Sequence, residues 1–197
     1  MITIGIDEVG RGCWAGPLVA AAVALKQPLP GLKDSKKLSK LQREKLAGVI
    51  EKEALAIGIG WVWPQAIDNG GITQAVKTAM ADALAAVEIC YDEVIIDGNI
   101  NYLADVVKFR GPSSEGRIRT AVKADDSVPA VSAASIIAKV ARDNYMAEIA
   151  SDFPDYGFEH HVGYGTAAHI AALQKLGVSD IHRRSYKPIR TLLELGQ

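Results

Sequence analysis

The sequence predicts an α/β fold in which helices flank a central mixed sheet. Short apolar segments that end in turns or acids alternate along the chain with longer segments of helical apolar periodicity. The hydrophobic fraction of 49% in 197 residues is typical of a globular domain and excludes a disordered chain. Because no linker or repeat divides the sequence, we expect one domain over 1–197, with 151–197 as a small helical part packed on it.

The N-terminal quarter predicts a hairpin followed by a helix. Residues 2–6 form an apolar strand that stops at Asp7-Glu8, and glycines with Pro17 then mark a loop. Leu18–Leu25 is apolar and predicts the second strand, although its alanines leave a helix as an open alternative. Ser39, with Gln42 three residues later, forms a capping-box pattern that opens a helix to about residue 54.

The remaining elements continue the alternation. A third strand is predicted over 57–62, and apolar residues at helical spacing predict a helix over 72–87. A compact buried strand covers 93–98, and residues 105–123 predict one or two short strands around a Gly-Pro-Ser-Ser loop. Two further helices are predicted after these strands, a long one over 131–150 and another over 166–176 that stops at Gly177.

Acidic residues follow three separate segments of the predicted sheet. Asp7 ends the first strand, Asp97 ends the buried strand, and Asp125 lies in the loop before the long helix. Ligand sites of open α/β sheets lie at the carboxyl ends of their strands, so we expect these acids to converge. Clustered carboxylates suit Mg²⁺ or Mn²⁺, and a pair of such ions supports phosphoryl transfer. Any one of these acids taken alone also fits a turn or a helix cap.

The glycines after the first strand leave a rival interpretation. Gly10 and Gly12 after a strand resemble a dinucleotide-binding loop, but the spacing to Gly16 is GxGxxxG rather than GxGxxG. Asp7 and Glu8 would repel a pyrophosphate, and a strand-like segment follows where a helix is required. A nucleotide-binding oxidoreductase is therefore the weaker alternative.

The formal net charge of −1 hides an uneven distribution of charge. Residues 82–105 hold six acids and no Lys or Arg, whereas 33–45 hold six Lys or Arg, 108–123 five and 182–190 four. A near-neutral total excludes a polycationic binder. Basic segments beside clustered acids are typical of an enzyme that holds an anionic polymer across a metal site.

Several residues in and near these basic segments are candidates for substrate binding, and some of them also fit a structural role. Arg183 and Arg184 are the stronger phosphate candidates, because Arg binds phosphate with two parallel hydrogen bonds. Lys36 and Lys37 fit either phosphate binding or the solvated face of a helix. Tyr164 lies in a glycine-flanked loop, where it either stacks on a base or sugar or caps the edge of the core.

Several protein classes are excluded. The uncharged apolar stretch from 13 to 25 has thirteen residues, whereas a membrane span needs about 20 apolar residues. The N-terminus lacks the basic start of a signal peptide, so we expect a cytoplasmic protein with no membrane partner. Cys13 and Cys90 are the only cysteines; a disulfide is possible, but we predict two core residues in a reducing compartment.

Seven motifs, in order from about residue 4 to 187, resemble those of bacterial ribonuclease HII. They are Asp-Glu-Val-Gly-Arg-Gly at 7–12 with Gly-Pro at 16–17, Asp-Ser-Lys-Lys-Leu at 34–38, Ile-Asp-Gly-Asn at 96–99, Lys-Ala-Asp at 123–125, Ala-Ala-Ser-Ile-Ile-Ala-Lys-Val-Ala-Arg-Asp at 133–143, Gly-Tyr-Gly-Thr at 163–166 and His-Arg-Arg-Ser-Tyr at 182–186. Seven matches in order make a chance resemblance very improbable.

The resemblance implies the ribonuclease H fold and hydrolysis of the RNA strand in RNA–DNA hybrids. It also implies incision 5′ to a single ribonucleotide in duplex DNA, leaving a 3′-hydroxyl and a 5′-phosphate. Four catalytic acids would hold two Mg²⁺ or Mn²⁺ ions. These are Asp7, Glu8, Asp97 and Asp125, with Asp126 as an adjacent alternative to the last. We expect a monomer whose partners are RNA–DNA hybrids and ribonucleotide-containing DNA.

Substrate contacts follow from the same resemblance. In the family, the Gly-Arg-Gly backbone reads the ribose 2′-hydroxyl, and a tyrosine packs on the next deoxyribose. The residues assigned to substrate binding are Gly10, Arg11, Gly12, Ser35, Lys36, Lys37, Tyr164, Arg183 and Arg184. Glycine suits the first role because a chain without Cβ approaches a sugar closely, and the 2′-hydroxyl is the group that distinguishes RNA from DNA.

The chain departs from the family pattern at three positions. Ala124 stands where glycine is common, Val162 where lysine is frequent and Tyr186 where phenylalanine is frequent. None of these changes affects the four acids. Because all four acids are present, the second alternative function, that of a non-catalytic relative that only binds the duplex, is disfavoured. The tail 191–197 has no aromatic pair of the kind that clamp-binding tails use, so we expect no clamp interaction through it.

Overall fold

Five strands form one mixed sheet in a computed structural model that describes residues 1–32, 35–105 and 117–195. The strands are β1 (Thr3–Val9), β2 (Leu18–Leu25), β3 (Ala54–Val62), β4 (Glu93–Asp97) and β5 (Arg117–Ala121), in the spatial order β3-β2-β1-β4-β5. The pairs β1–β2 and β2–β3 are antiparallel, whereas β4 is parallel to both β1 and β5. The predicted hairpin and the mixed α/β class are confirmed.

Helices occupy both faces of this sheet. They are α1 (Lys40–Glu53), α2 (Pro64–Ala85), α3 (Ala124–Ser127), α4 (Pro129–Glu148), α5 (Phe158–His161), α6 (Ala167–Leu176) and α7 (Lys187–Leu195). Ser39 caps α1 with the predicted capping box, in which its hydroxyl accepts from the Gln42 N–H and the Gln42 side chain accepts from the Ser39 N–H. Thr166 caps α6 in a similar way, accepting from the His169 N–H.

Several predicted bounds were wrong for identifiable reasons. The first strand continues through Asp7 and Glu8 to Val9, because β2 pairs with it over that whole length. The helical segment α2 begins at Pro64, since proline starts a helix well, and the non-helical Gly71, with φ 76°, interrupts it directly before the predicted start at 72. The long helix spans Pro129–Glu148, and a 3₁₀ turn at Ile149–Asp152 follows it. Part of the strand prediction over 105–123 lies outside the described residues.

The alanine-rich strand β2 lies at the centre of two cores. Its even-numbered residues pack with α2 on one face, and its odd-numbered residues pack with α1 and α4 on the other. Alternation of side chains across the two faces of a strand explains this division. A strand buried on both faces needs small apolar residues, and this is why the alanines form a strand here rather than the alternative helix.

Two glycines allow the helices to lie close to the sheet. A Cβ atom on Gly5 would lie 2.2 Å from the backbone of Ala130, at the start of α4. A Cβ atom on Gly60 would lie 2.0 Å from the backbone carbonyl oxygen of Ala79, in α2. The close approach at Gly5 fixes the first turn of α4 against the strand that carries Asp7.

The C-terminal part packs on one end of the sheet through a third apolar cluster. Phe158, Leu173 and Ile189 from α5, α6 and α7 meet Met146 of α4 and Ala15 of the β1–β2 loop. The predicted helical part over 151–197 thus lies against the loop that follows the first strand.

The two cysteine side chains differ in their exposure to solvent. Cys13 is buried as predicted, but Cys90 is exposed in the connection before β4, and both thiols are free.

Among the described residues, no helix has the length and apolar character that crossing a membrane requires.

Candidate active site

Three of the four carboxylates predicted from the sequence, those of Asp7, Glu8 and Asp97, lie at the carboxyl ends of β1 and β4. These strands are parallel neighbours with Ile6 opposite Ile96, so the next residues along, Asp7 and Asp97, lie side by side. Glu8 follows directly on β1, and its backbone N–H donates to Asp7 Oδ1 over 2.8 Å. The parallel register therefore brings acids that are 90 residues apart in sequence to one edge of the sheet.

The electrostatics of this edge are unfavourable for bare carboxylates. Asp7 is 8% exposed; burial raises its pKa to about 8, and the charges of Glu8 and Asp97 add to the increase. Burial also raises the pKa of Glu8, against the opposing effect of Arg11, whose Nη1 donates to Glu8 Oε1 over 3.2 Å. A cation bound at this edge would stabilise the ionised forms of both acids.

Asp125 and Asp126 lie in different environments. Asp97 Oδ1 accepts the Ala124 N–H over 2.8 Å, which fastens the start of α3 to the end of β4. Asp125, the next residue, is 5% exposed. Asp126 points elsewhere, because its two carboxylate oxygens accept from Lys37 Nζ over 2.6 and 2.7 Å. The two neighbours are thereby distinguished, with Asp125 as the buried one.

The donor set fits a hard divalent cation. All of the converging groups are carboxylates, and oxygen ligands are those that Mg²⁺ and Mn²⁺ prefer. In residues 1–32, 35–105 and 117–195, no group of three or more Asp, Glu, His or Cys side chains has the geometry of a metal site as it stands. The chemistry of the donors and the raised pKa of Asp7 favour a cation at this edge.

The segment 35–37, which the family resemblance assigns to substrate binding, lies beside these acids. The Ser35 hydroxyl is 2.9 Å from the Ser135 hydroxyl, and Ser135 in turn hydrogen-bonds Asp7. Lys37 reaches Asp126, and Lys36 is exposed. The first residue of the motif, at 34, lies outside the described residues.

The β1–β2 loop presents the predicted glycines at the same edge. Gly10 has φ 94°, and a Cβ atom there would lie 2.5 Å from Arg142 Nε. Gly12 is exposed, and a Cβ atom there would meet no atom within 4 Å. Gly10 is thus required by the backbone and by close packing, whereas Gly12 leaves an open space in front of the loop.

Two fully buried arginines lie behind this loop, and the sequence analysis gave a role to only one of them. Arg142 of α4 donates to the carbonyl oxygens of Pro17, Val162 and Ala15 over 2.8, 2.8 and 3.0 Å. Arg183, which we predicted as a phosphate ligand, is 0% exposed and donates to Gly16 and Arg11 carbonyls. A signal for Arg142 was available, because it occupies the buried face of α4 at helical spacing.

Arg184, the other predicted phosphate ligand of this motif, lies at the surface. Its side chain is 58% exposed, and Nη2 lies 3.6 Å from Asp180 Oδ1. Its backbone N–H donates to Asp68 Oδ2 over 2.8 Å. The two adjacent arginines therefore face opposite environments.

Tyr164 is 38% exposed beside the same loop. Lys139 Nζ and Arg142 Cζ lie 5.7 and 6.0 Å from the centre of its ring. Burial of its hydroxyl, with a contribution from Cys13, raises the pKa of Tyr164 to about 12. Two cationic side chains therefore lie near the ring, part of which stays exposed to solvent.

Three histidines that the sequence analysis did not assign hold the backbone around Tyr164. His161 Nδ1 accepts the Gly163 N–H over 3.2 Å, so its Nε2–H donates to the Tyr156 carbonyl over 2.8 Å. His169 Nδ1 lies 3.0 Å from the Tyr164 carbonyl oxygen and donates to it. Its Nε2 then accepts from His182 Nε2–H over 3.0 Å. Their signal was weak, since no local sequence pattern marks these histidines as buried.

Comparison with known proteins identifies the pattern. A family model described as Ribonuclease HII matches residues 4–189. A ribonuclease HII from Bacillus anthracis is 46% identical over 192 residues, which cover 96% of this chain and 70% of that protein. The structure resembles the crystal structure of ribonuclease H2 from Pyrococcus horikoshii OT3, with a TM-score of 0.80, 26% identity and coverage of 99% and 98% of the two chains.

A second solved structure resembles the chain nearly as well. It is the PCNA:RNase HII complex from Archaeoglobus fulgidus, with a TM-score of 0.77, 30% identity and coverage of 95% of this chain and 96% of that one. That neighbour was solved with PCNA; for the present chain, the absence of a clamp interaction through the tail stays a prediction.

Proposed function

Because the chain belongs to the ribonuclease HII family, we propose that it incises duplex DNA 5′ to a single embedded ribonucleotide, leaving a 3′-hydroxyl and a 5′-phosphate. Membership makes the protein a ribonuclease H, an endonuclease that acts on RNA–DNA hybrids. The observation that carries the finer proposal is the position of the acids at the end of β1, directly before a loop with open backbone at Gly12.

The four acids are proposed to hold two divalent cations. The family depends on divalent metals, and the buried Asp7, with its raised pKa, favours a cation at this edge. When bound, two such ions supply a hydroxide nucleophile and stabilise the departing 3′-oxygen. Asp7, Glu8, Asp97 and Asp125 are the proposed attachment points. Arg11 and Lys37 add positive charge beside them.

The β1–β2 loop and Tyr164 are proposed to recognise the sugar. Backbone groups of Gly10–Gly12 would contact the 2′-hydroxyl, which is supported by the empty space in front of Gly12. The exposed part of the Tyr164 ring would pack on the following deoxyribose, with Lys139 and Arg142 fixing the ring. The exposed Lys36, Lys37 and Arg184 are the proposed phosphate contacts, together with the Ser35 turn.

Residues 1–197 are proposed to form one catalytic domain. The C-terminal part, 151–197, supports the site from behind, because the cluster of Phe158, Leu173 and Ile189 packs on Ala15 of the β1–β2 loop.

The test uses a DNA duplex with one ribonucleotide and either Mg²⁺ or Mn²⁺. We expect a nick on the 5′ side of the ribonucleotide, lost on chelation with EDTA. In Asp97→Asn, the remaining carbonyl oxygen still accepts the Ala124 N–H, so the fold is kept while a metal-binding charge is lost. We expect the rate to fall roughly a hundredfold or more while duplex binding persists.

Asp155→Asn is the matched control. Asp155 is an exposed acid whose contact is Lys175, away from the carboxylate edge, and its variant should nick at the wild-type rate. Wild-type-like cutting by Asp97→Asn would reject the assignment of this acid. Binding of the duplex by the wild-type protein without any nick would instead favour a non-catalytic duplex-binding protein.

A further inference from the structure

The carbonyl groups of the β1–β2 loop point into the protein, where buried arginines bind them. Arg183 Nε donates to the Gly16 carbonyl over 3.0 Å, and Arg142 Nη2 donates to the Ala15 carbonyl over 3.0 Å. Both guanidinium groups are fully buried, and within the described residues neither forms an ion pair with a carboxylate. Burying a charge without a counter-ion is costly unless hydrogen bonds compensate, so these contacts fix the loop strongly.

The Arg11 carbonyl receives two donors. Arg183 Nη1 lies 3.2 Å from this oxygen, and the Tyr186 hydroxyl also donates to it. The same Arg183 Nη1 lies 3.0 Å from the Tyr186 hydroxyl, and the guanidinium carbon lies 5.3 Å from the centre of the Tyr186 ring. Arg183 and Tyr186 therefore form one unit around a single oxygen of the loop.

The position of this unit is itself fixed. Asp68 of α2 accepts from the Arg184 N–H, the Ser185 N–H and the Ser185 hydroxyl over 2.8, 2.9 and 2.6 Å. The Arg183 N–H donates to the Trp14 carbonyl over 2.7 Å. Arg183 Nη2, however, is buried and has no hydrogen-bond partner in the part of the chain that the structure describes. The guanidinium is thus held in an orientation that serves the loop carbonyls at the cost of one unsatisfied donor.

Peptide planarity transmits this contact to the surface. In a trans peptide, the carbonyl of Arg11 and the N–H of Gly12 point in opposite directions. Because the carbonyl is held inward by Arg183 and Tyr186, the Gly12 N–H faces outward, into the open space in front of the loop.

We propose that Tyr186 is a specificity-determining positioning residue, whose hydroxyl, together with Arg183, fixes the Arg11–Gly12 peptide so that the Gly12 N–H meets the ribose 2′-hydroxyl of the substrate. This inference rests on the proposed function and adds a residue that does not itself touch the substrate. Phenylalanine, frequent at this position in the family, has no hydroxyl to give the Arg11 carbonyl. The tyrosine of this chain therefore supplies a contact that the ring alone does not.

The test compares Tyr186→Phe with the wild-type protein on two duplexes. One carries a single ribonucleotide, and the other carries a 2′-fluoro nucleotide at the same position, which is a poor hydrogen-bond acceptor. Tyr186→Phe keeps the ring, so the fold should be kept. We expect the single-turnover rate constant at subsaturating enzyme to fall about fivefold on the ribonucleotide duplex, the equivalent of one ordinary hydrogen bond, and less than twofold on the 2′-fluoro duplex.

Tyr156→Phe is the control variant. It removes another phenol-to-carbonyl hydrogen bond, the 2.9 Å contact with Gly177, which lies away from the loop, and both duplexes should be cut at wild-type rates. The amide resonance of Gly12 in a ¹⁵N-labelled sample should shift in Tyr186→Phe and stay unchanged in Tyr156→Phe.

Each outcome decides between distinct ideas. An equal loss on both duplexes would show that Tyr186 acts only through general stability, and an unchanged rate on the ribonucleotide duplex would overturn the positioning role. Failure of the wild-type protein to nick the ribonucleotide duplex would instead reject the proposed function, irrespective of Tyr186.

Discussion

Acid should weaken the fold through the buried histidines that support Tyr164. His169 and His182 are 0% and 1% exposed, and burial lowers the pKa of each from 6.5 to about 4. Both rings are neutral in the folded protein, because His169 accepts from His182 and His182 Nδ1 accepts the Ser179 N–H. Protonating either ring would place a donor against a donor.

The size of the effect follows from proton linkage. Between pH 6.5 and about 4 the unfolded chain binds protons that the folded chain excludes, so stability falls as the pH falls. Each histidine then changes the free energy of unfolding by about 1.4 kcal/mol per pH unit, or about 2 kcal/mol by pH 5. The sum for the pair is a large part of the roughly 5–15 kcal/mol that stabilises a typical domain.

Urea unfolding at pH 5, 6 and 7 measures this effect. His169→Asn keeps an amide donor for the Tyr164 carbonyl but removes the titrating ring. The variant will be less stable than the wild-type protein at pH 7, because a buried ring is lost. We expect the difference between the two free energies of unfolding to shrink by about 2 kcal/mol on going to pH 5.

His160→Gln is the control, because the His160 side chain is 82% exposed and bonds only to its neighbour Glu159 among the described residues. Its free energy of unfolding should stay parallel to that of the wild-type protein across the pH range. A constant difference between His169→Asn and wild type from pH 7 to pH 5 would refute the linkage argument.

Two further predictions concern packing and substrate recognition. Gly5→Ala should lower the free energy of unfolding by roughly 3 kcal/mol or more, because the added methyl meets the backbone of Ala130 at 2.2 Å. Gly48→Ala in α1 is the control: a Cβ there meets no atom within 4 Å, so the variant should raise the free energy of unfolding by about 0.5–1 kcal/mol. Denaturant midpoints of the two variants measure both effects. Tyr164→Ala should slow incision at a single ribonucleotide about tenfold with little change in the melting temperature, because the ring is 38% exposed. Equal rates of that variant on single-ribonucleotide and all-RNA-strand duplexes would count against the sugar-packing role.

The sequence predicts the elements whose signals are local. The capping box at Ser39, the buried strand ending in Asp97 and the convergence of acids at strand ends all depend on short-range patterns or on the general geometry of α/β sheets. The strand at Leu18–Leu25 was ambiguous because alanine favours helices, and burial on both faces decides it.

The features that the sequence did not predict depend on contacts between distant segments. Arg183 looks like a surface phosphate ligand until the chain is folded, when the carbonyls of the β1–β2 loop surround it. The neutral state of His169 likewise requires His182 and the Tyr164 carbonyl to be in place. No local pattern distinguishes these buried polar residues from exposed ones, since their burial is decided by tertiary packing.

The long separation between the loop and its supports has a consequence for biosynthesis. Arg183 and Tyr186 contact Arg11 across 172 and 175 positions of the chain, so most of the polypeptide must leave the ribosome before the loop is fastened. Closing contacts of such separation is slow and entropically costly. A nascent chain that has already made β1 and β4 thus carries its acids at one sheet edge before the β1–β2 loop is fastened. If the proposed function is right, recognition of the 2′-hydroxyl would arise only after residues 183–186 have left the ribosome.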